Sequence, residues 1–264
     1  RSGGFETSQP EQRLTGQVHL AGVADIDAAE RRILDAADRL VADACAVHPR
    51  LAARGGGVRS LATRRVGLDD GRIVLAVHFH VATGDAMGAN TVNTICEAMA
   101  PALETLSGGT AALRILTNLA DASLVTASIH IALADLGRRK ADALAARDGI
   151  VLANDIARAD PYRAATHNKG IMNGIDPLAI ATGNDWRAIE AGAHAWAARD
   201  GRYSALTDWR VAEDGGLEGS ITVPLKPAIV GGTLAANPAA AFALRLAGVG
   251  SAAELASLMA AVGL

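Results

Sequence analysis

VRSLATRRVGLDDGRIVLAVHFHVA, residues 58–82, has the pattern of two strands joined by a tight turn. In its second half, apolar side chains occupy every second position, so they share one face of an extended chain. Asp69, Asp70 and Gly71 supply the residue types that a hairpin turn requires. The stretch therefore predicts a β-hairpin with one buried face, formed by strands near 58–67 and 72–82.

The segments on either side extend the hairpin to a larger unit. Strands are predicted at 15–23 and 111–117, an amphipathic helix at 26–48, and a second helix at about 90–106. The resulting order, β-α-β-β-α-β, is that of a split βαβ or ferredoxin-like fold, which we expect over residues 12–118.

The rest of the chain, residues 1–11 and 119–264, predicts a larger domain of mixed α and β structure, so the fold class is α+β or α/β. Strand-like segments at 124–132 and 217–224 flank helical stretches at about 134–146, 186–199, 238–247 and 251–262.

Composition limits the class of protein. Hydrophobic residues make up 50 % of the 264 residues and charged residues 20 %, which is typical of a globular chain. A formal net charge of −3 gives no basic footprint for nucleic acid. Cys45 and Cys96 are far apart and form no CxxC pair, so we expect free thiols that remain reduced in the cytoplasm.

No membrane partner is expected. The first residues, RSGGFETSQP, lack the apolar stretch of a signal peptide. The longest uncharged run lies between Lys226 and Arg245 and contains Gly231–Gly232 and Asn237–Pro238. We interpret it as a loop followed by a buried helix and not as a membrane span.

The first segment that can carry chemistry is DAMGANTVNT, residues 85–94, where a strand runs into a helix. Gly88 permits close approach of a ligand to the backbone, and the helix N-terminus favours an anion such as a pyrophosphate. Asp85 can accept hydrogen bonds from a ribose hydroxyl. The alternative is an ordinary strand-to-helix turn capped by Asn90, since the segment is not a GxGxxG fingerprint.

Two further segments are rich in polar groups. In DPYRAATHNKGIMNG, residues 160–174, Arg163 offers a fork for a carboxylate and Lys169 a charge for a developing oxyanion. The alternative is a solvated loop. In ATGNDW, residues 181–186, Asp185 either caps the following helix or pairs with Lys169.

The histidines are weaker candidates. His78 and His80 lie two apart on a strand and share a face, but no third metal ligand is evident nearby, so packed or surface side chains are the favoured interpretation. The same holds for His130 and His194. We therefore expect no metal site.

The three polar segments, together with GGG (55–57), LRILTNLAD (113–121) and VGG (230–232), closely resemble motifs of class II (bacterial-type) 3-hydroxy-3-methylglutaryl-coenzyme A (HMG-CoA) reductases. The resemblance covers essentially the whole chain. It implies a ferredoxin-like small domain that binds NAD(P), inserted into a larger domain that binds HMG-CoA.

The resemblance also implies roles for individual residues. Lys169 would be the catalytic lysine and Asp185 the catalytic aspartate beside it, with Lys169 buried on a turn. Arg163 and Asn173 would hold the HMG portion. The residues implied for the cofactor are Asp85, Met87, Gly88, Asn90, Asn118 near the nicotinamide, and His48 near the adenosine ribose. A glutamate and a histidine that the family also uses are expected outside these 264 residues.

The implied reaction interconverts HMG-CoA with mevalonate and coenzyme A, in a cytoplasmic homodimer or a larger assembly of it. NAD(H) is slightly favoured over NADP(H), although His48 with Arg50 would tolerate a 2′-phosphate. The alternatives are another nicotinamide-dependent dehydrogenase and a non-catalytic ferredoxin-like binding module. The second is disfavoured because Phe79 is the only aromatic residue in the predicted strands of the small unit.

Overall fold

The computed structural model describes residues 3–232 and 234–264, which divide into two compact units. The smaller unit is Glu11–Ala122, and the larger unit combines the described residues up to Pro10 with Ser123–Leu264. Each unit has one antiparallel four-stranded sheet covered by helices, so the fold is mixed α and β as predicted.

The described residues form eight strands and nine α-helices. The strands are β1 (Glu6–Ser8), β2 (Leu14–Ala21), β3 (Gly57–Gly67), β4 (Ile73–Ala82), β5 (Thr110–Leu116), β6 (Leu124–Ile131), β7 (Thr207–Val211) and β8 (Leu217–Pro224). The helices are α1 (Ile26–Asp35), α2 (Ala37–Ala46), α3 (Pro49–Ala52), α4 (Ala89–Ser107), α5 (Lys140–Ala159), α6 (Pro161–Ala181), α7 (Trp186–Ala197), α8 (Pro238–Ala247) and α9 (Ala252–Gly263).

In the smaller unit the predicted hairpin is present, with β3 paired antiparallel to β4 and Leu61 opposite Phe79. The strand order is β3-β4-β2-β5, so β2 lies between the hairpin and β5. Leu75, Val77 and Phe79 on the inward face of β4 are fully buried. Three helical segments instead of one connect β2 to β3. The assignment of the smaller unit to the ferredoxin-like fold therefore stays a prediction.

The prediction of one continuous helix over 26–48 was wrong. Asp25 caps α1, since its carboxylate accepts a hydrogen bond from Ala28 N at 2.9 Å. The helix then breaks at Ala36, whose φ of −93° and ψ of 5° are not helical, and Pro49 begins α3 instead of ending α2. A break of one residue leaves the apolar periodicity on both sides nearly in phase, so the pattern does not reveal it.

In the core of the smaller unit, the backbone of β2 packs closely against helix α4. A Cβ on Gly16 of β2 would lie 2.5 Å from Cys96 Sγ and 2.7 Å from Val92 Cγ1 on α4. Cys96 is a free thiol in the buried core, and burial raises its pKa to about 12. The absence of a side chain at Gly16 thus lets α4 pack directly against β2.

The larger unit has the strand order β1-β6-β8-β7, and α9 packs against β6 and β8. The helices α5 and α6 meet at Asp160, which caps α6 by accepting a hydrogen bond from Tyr162 N at 3.0 Å. The segment 160–174 is therefore helical, and the solvated loop or turn considered for it is wrong. Gly174 lies inside α6, where a glycine lets α9 approach closely: a Cβ there would be 2.7 Å from Val262 O of α9.

Helix α8 forms where predicted but is not buried. Ala240 faces the core, whereas the side chains of Phe242 and Leu246 are 59 % and 76 % exposed. Asn237 caps the helix by accepting from Ala239 N and Ala240 N. Within the described residues no single helix is long and apolar enough to span a membrane; α8 and α9, bent by 73°, meet that length and composition test only as a pair.

The open face of the smaller sheet carries three half-buried histidines. His80 Nδ1 lies 3.0 Å from Thr15 Oγ1, and His78 Nε2 lies 2.9 Å from Gln17 Nε2. Burial is the main cause that lowers the pKa of His19, His78 and His80, and His80 lowers that of His78 further. His78 and His80 are therefore packed side chains, and no group of three metal ligands is found among the described residues.

The contact of Gly16 with α4 predicts that Gly16→Ala destabilises the protein by about 1–3 kcal/mol, because Cys96 and Val92 must move to admit a methyl group. Urea unfolding would measure the change. Gly67→Ala is the matched control, since Gly67 is also a strand residue and has no atom within 4 Å of the added Cβ. Equal destabilisation by both substitutions would contradict this account of the core.

The histidines predict a loss of stability on acidification. In the unfolded chain an imidazole takes up a proton near pH 6.5, whereas the three folded imidazoles have a lower pKa. The free energy of unfolding should therefore fall as the pH decreases below 6.5. The variant His78→Gln/His80→Gln should lose less stability between pH 7.5 and 5.5. A variant as acid-sensitive as the parent protein would show that these side chains are not the cause.

Candidate active site

The turn between β4 and α4 is organised by one buried threonine. Thr83 Oγ1 donates to Ala86 O at 2.7 Å and lies 3.1 Å from Met87 O. Gly88 has a φ of 87°, and a Cβ there would lie 2.3 Å from Thr83 Cγ2. Glycine is therefore required at this position both by the backbone conformation and by the space that Thr83 leaves.

The N-terminus of α4 is available to an anion. Gly88 is the N-cap residue, and no side chain caps the first turn. Asn90 lies inside the helix, so the prediction that it serves as the cap was wrong. The first backbone N–H groups of a helix have no partner within the helix and carry a partial positive charge. This end of α4 is therefore suited to hold a phosphate group.

A cavity of about 270 Å³ lies beside this helix end, within the smaller unit. Its lining residues are His48, Pro49, Arg50, Leu51, Arg54, Thr83, Ala86, Gly88 and Thr91. His48 Nε2 is buried without a hydrogen-bond partner. Neither Arg50 nor Arg54 forms an ion pair within the part of the chain that is described. The cavity therefore offers two guanidinium groups, one imidazole nitrogen and a helix N-terminus.

The structure brings together only part of the predicted cofactor set. His48 and Gly88 line the cavity. Asp85 and Asn90 are exposed, and Met87 is half-buried, outside that lining. Asn118 is exposed just after β5. The cofactor roles of these residues stay predictions.

Lys169 lies in the middle of α6 and is exposed, so the prediction of a buried ammonium on a turn was wrong. Asn173, one helical turn further on, is exposed on the same face. Arg163 is half-buried in the first turn of the helix. The physical reason is the neighbour of Lys169: Asn168 is fully buried, and consecutive helix residues point about 100° apart.

Asp185 is the N-cap residue of α7, as one of the two interpretations predicted. Its carboxylate accepts from Ala188 N at 3.2 Å and lies 3.4 Å from Arg187 Nε. The side chain is partly exposed, and among the described residues it forms no ion pair with Lys169. The pairing of Asp185 with Lys169 therefore stays a prediction.

His167 points inward from α6. Its Nε2 lies 2.6 Å from Thr207 Oγ1, and that hydroxyl donates to Asn154 Oδ1 at 3.0 Å. Burial, with a smaller effect of Arg163, lowers the pKa of His167. The imidazole is therefore neutral near pH 7 and contributes to packing between α6, α5 and the start of β7.

A carboxyl pair links α6 to α7. Burial raises the pKa of Asp176 to about 7, and a hydrogen bond and the charge of Glu190 contribute to the shift. The Asp176 carboxyl group is therefore partly protonated at neutral pH. Sequence inspection did not single out this pair, because nothing in the sequence shows that α6 and α7 pack with these residues facing each other.

A second cavity, of about 370 Å³, lies on the larger sheet. Several charged groups at its wall already have partners: Arg210 pairs with Glu218 at 2.9 Å, and His130 pairs with Asp214 at 3.1 Å. This cavity is larger than the one beside α4, but it contains none of the predicted site residues. We therefore assign no function to it.

Sequence reasoning missed two contributors to the cavity beside α4. Arg54 precedes the GGG motif and had no motif of its own, and Thr83 acts through backbone carbonyls that only the folded turn brings together.

The whole chain, residues 1–264, matches the family described as hydroxymethylglutaryl-coenzyme A reductase. A 3-hydroxy-3-methylglutaryl-coenzyme A reductase of Archaeoglobus fulgidus is 42 % identical over 263 residues, which are 100 % of this chain and 59 % of the relative. A Borreliella burgdorferi protein described as a probable reductase of this kind is 36 % identical over 80 % of this chain and 48 % of its own length.

Among solved structures, a class II reductase of Streptococcus pneumoniae bound to NADPH superposes with a TM-score of 0.97 and 46 % identity. The match covers 100 % of this chain and 64 % of the pneumococcal chain. The chain thus spans about half to two thirds of the length of these relatives. Because the sequence match, the identities and the superposition all extend over the full chain, it belongs to the hydroxymethylglutaryl-coenzyme A reductase family, with class II members as its structural counterparts.

Proposed function

We propose that this chain forms most of an HMG-CoA reductase, which interconverts HMG-CoA with mevalonate and coenzyme A through two hydride transfers with NAD(P)H. The observation that carries the proposal is the cavity of the smaller unit, where His48, Arg50 and Gly88 meet at the uncapped end of α4. This chain contains the three polar segments and is 46 % identical to a reductase bound to NADPH, and both facts support the same function.

The cavity fits one end of a dinucleotide. Its volume of about 270 Å³ is at the lower limit of small-molecule sites, so it suits a phosphate with its ribose and not the whole cofactor. The unpartnered His48 Nε2 and the uncapped N–H groups at the start of α4 are features that a ligand would complete. We propose that the smaller unit binds the nicotinamide cofactor, with Asp85 on a ribose hydroxyl and Asn118 towards the nicotinamide.

The choice between the two cofactors depends on the same cavity. The sequence slightly favoured NAD(H). The lining instead supports NADP(H), because Arg50 and Arg54 offer two positive charges without ion-pair partners in the described chain. Guanidinium groups bind phosphate oxygens in a planar, bidentate geometry. We propose that the 2′-phosphate of NADP(H) lies between these arginines and His48.

The chemistry assigns a role to Lys169. When bound, the reduced cofactor supplies hydride to the thioester carbonyl carbon, and negative charge grows on the carbonyl oxygen. Lys169 would stabilise that oxygen electrostatically, and Asp185 would orient the ammonium and exchange its proton. Arg163 would pair with the free carboxylate of the HMG group, and Asn173 would donate an amide hydrogen bond to it. Collapse of the resulting alkoxide would expel the coenzyme A thiolate, which takes up a proton and leaves as the thiol, and would give an aldehyde. Hydride from a second reduced cofactor and another proton would convert the aldehyde to the alcohol.

The exposure of Lys169 and Asp185 supports an active site that is completed by a further surface. We propose a homodimer, or a larger assembly of it, in which the substrate site lies between subunits and the enzyme acts in the cytoplasm. The runner-up functions, another nicotinamide-dependent dehydrogenase and a non-catalytic binding module, predict no oxidation of reduced cofactor that depends on HMG-CoA.

The role of Lys169 predicts that Lys169→Ala lowers kcat of the full-length enzyme about 100- to 1,000-fold, as removal of one oxyanion-stabilising donor does elsewhere. Oxidation of NADPH in the presence of HMG-CoA would be followed by absorbance. Lys140→Ala is the control, because Lys140 is an exposed lysine that begins the neighbouring helix α5. Parent protein without HMG-CoA-dependent turnover, or a Lys169→Ala variant with full turnover, would contradict the proposal.

The phosphate site predicts that Arg50→Ala raises the Kd for NADPH roughly 10- to 100-fold and leaves the Kd for NADH unchanged, because only NADPH has the 2′-phosphate. Isothermal titration calorimetry with each nucleotide would measure both constants. Arg72→Ala is the control, since Arg72 is exposed and pairs with Asp70 in the hairpin turn. An equal effect on both nucleotides would exclude a 2′-phosphate contact.

A further inference from the structure

Two asparagines directly precede the two proposed catalytic residues. Asn168 comes before Lys169 and Asn184 before Asp185. Each side-chain amide uses both its oxygen and its nitrogen to bond the backbone of a distant segment of the larger unit. The two asparagines therefore make the same kind of contact at corresponding positions of the two motifs.

Asn168 is fully buried in α6. Its Oδ1 accepts a hydrogen bond from Leu206 N at 3.0 Å, and its Nδ2 donates to Ser204 O at 2.9 Å. The amide thus satisfies a buried donor and a backbone acceptor with one side chain. Any rotation of α6 about its axis would break both bonds, so the contact fixes which face of the helix carries Lys169.

Asn184 lies in the turn between α6 and α7. Its Oδ1 accepts from Ala228 N at 2.6 Å, and its Nδ2 donates to Ala228 O at 3.1 Å. The same Nδ2 lies 3.0 Å from Thr182 Oγ1, and Asn184 N donates to Ala179 O at 2.8 Å. The turn is therefore held from both its side chain and its backbone immediately before Asp185 begins α7.

Both partner segments lie at one end of the larger sheet. Ser204 and Leu206 lead into β7, and Ala228 follows the end of β8. Because β7 and β8 are antiparallel, with Thr207 opposite Ile221, the start of β7 and the end of β8 are at the same end. Leu225 N also donates to Ser123 O at 3.0 Å, which ties the chain after β8 to the start of β6.

We infer that Asn168 and Asn184 are positioning residues, which set the directions of Lys169 and Asp185 by bonding both motifs to the same end of the larger sheet. The inference rests on the proposed function, since it concerns the residues assigned to catalysis there. Its physical basis is that the sheet end is a common rigid support. Two groups fixed to one support keep their mutual geometry, as a preorganised site requires.

The experiment compares Asn168→Ala and Asn184→Ala in the full-length enzyme. Each should lower kcat roughly 10- to 100-fold, the size expected for a misplacement of about 1 Å, while the KM for HMG-CoA and the Kd for NADPH change little. Asn184→Asp retains the acceptor for Ala228 N and should recover part of the loss.

Matched controls separate positioning from general destabilisation. Asn154→Ala removes a buried asparagine that bonds Thr207 Oγ1 but does not precede a proposed catalytic residue. Asn237→Ala removes a half-buried asparagine that bonds Ala239 N and Ala240 N at the cap of α8. Control variants that lose as much thermal stability as the test variants should still keep kcat within a few-fold of the parent value. If kcat falls equally in the controls and the test variants, the inference is wrong.

A second comparison uses the proposed catalytic residues themselves. Asn168→Ala should have little further effect on residual turnover in a Lys169→Ala background, and likewise Asn184→Ala in an Asp185→Ala background, because the positioned group is absent. The same fold-loss in both backgrounds would overturn the inference. Full turnover by Lys169→Ala would instead refute the proposed function. Should the buried Asn168 variant fail to fold, the half-buried Asn184 series decides the outcome.

Discussion

The larger unit depends on the orientation of α6 about its own axis, which decides which face of the helix points into the core. Asn168 is sealed in the interior with its amide bonded to Ser204 O and Leu206 N, and Gly174 lets α9 approach the same helix. Given these inward contacts, Lys169 and Asn173 can only be on the outer face. The polar density of the segment thus has two origins: one part bonds the core, and the other lies on the exposed face of the helix.

The smaller unit likewise depends on glycines that allow other groups to pack closely against the backbone. Gly16 admits α4 against β2, and Gly88 admits the side chain of Thr83 at the start of the same helix. The helix that completes the core therefore also presents the N–H groups of the proposed phosphate site. Because Thr83 holds the preceding turn through two carbonyl groups, the helix end is fixed before any ligand binds. Such preorganisation reduces the entropy that binding must overcome.

The sequence predicted the hairpin over 58–82 and the position of α8, because alternation and proline or glycine signals are local. It failed where the deciding fact is tertiary. The break at Ala36 leaves the helical periodicity nearly unchanged. The segment 160–174 is compatible with a loop by its sequence, and only the contact of Gly174 with α9 explains a glycine inside a helix. Family resemblance supplied Lys169 and Asp185, but not their exposure. That exposure follows from the burial of Asn168 and from the position of Asp185 at a helix N-terminus.

We expect the lysine on the exposed face of α6 and the aspartate that begins α7 to converge on one thioester. The most direct measurement is a crystal structure of the full-length protein with HMG-CoA bound. The Lys169 Nζ atom should lie about 3 Å from the thioester carbonyl oxygen, with the Asp185 carboxylate within hydrogen-bond distance of the same ammonium. A bound thioester elsewhere on the protein, with Lys169 still surrounded by solvent, would contradict the central claim.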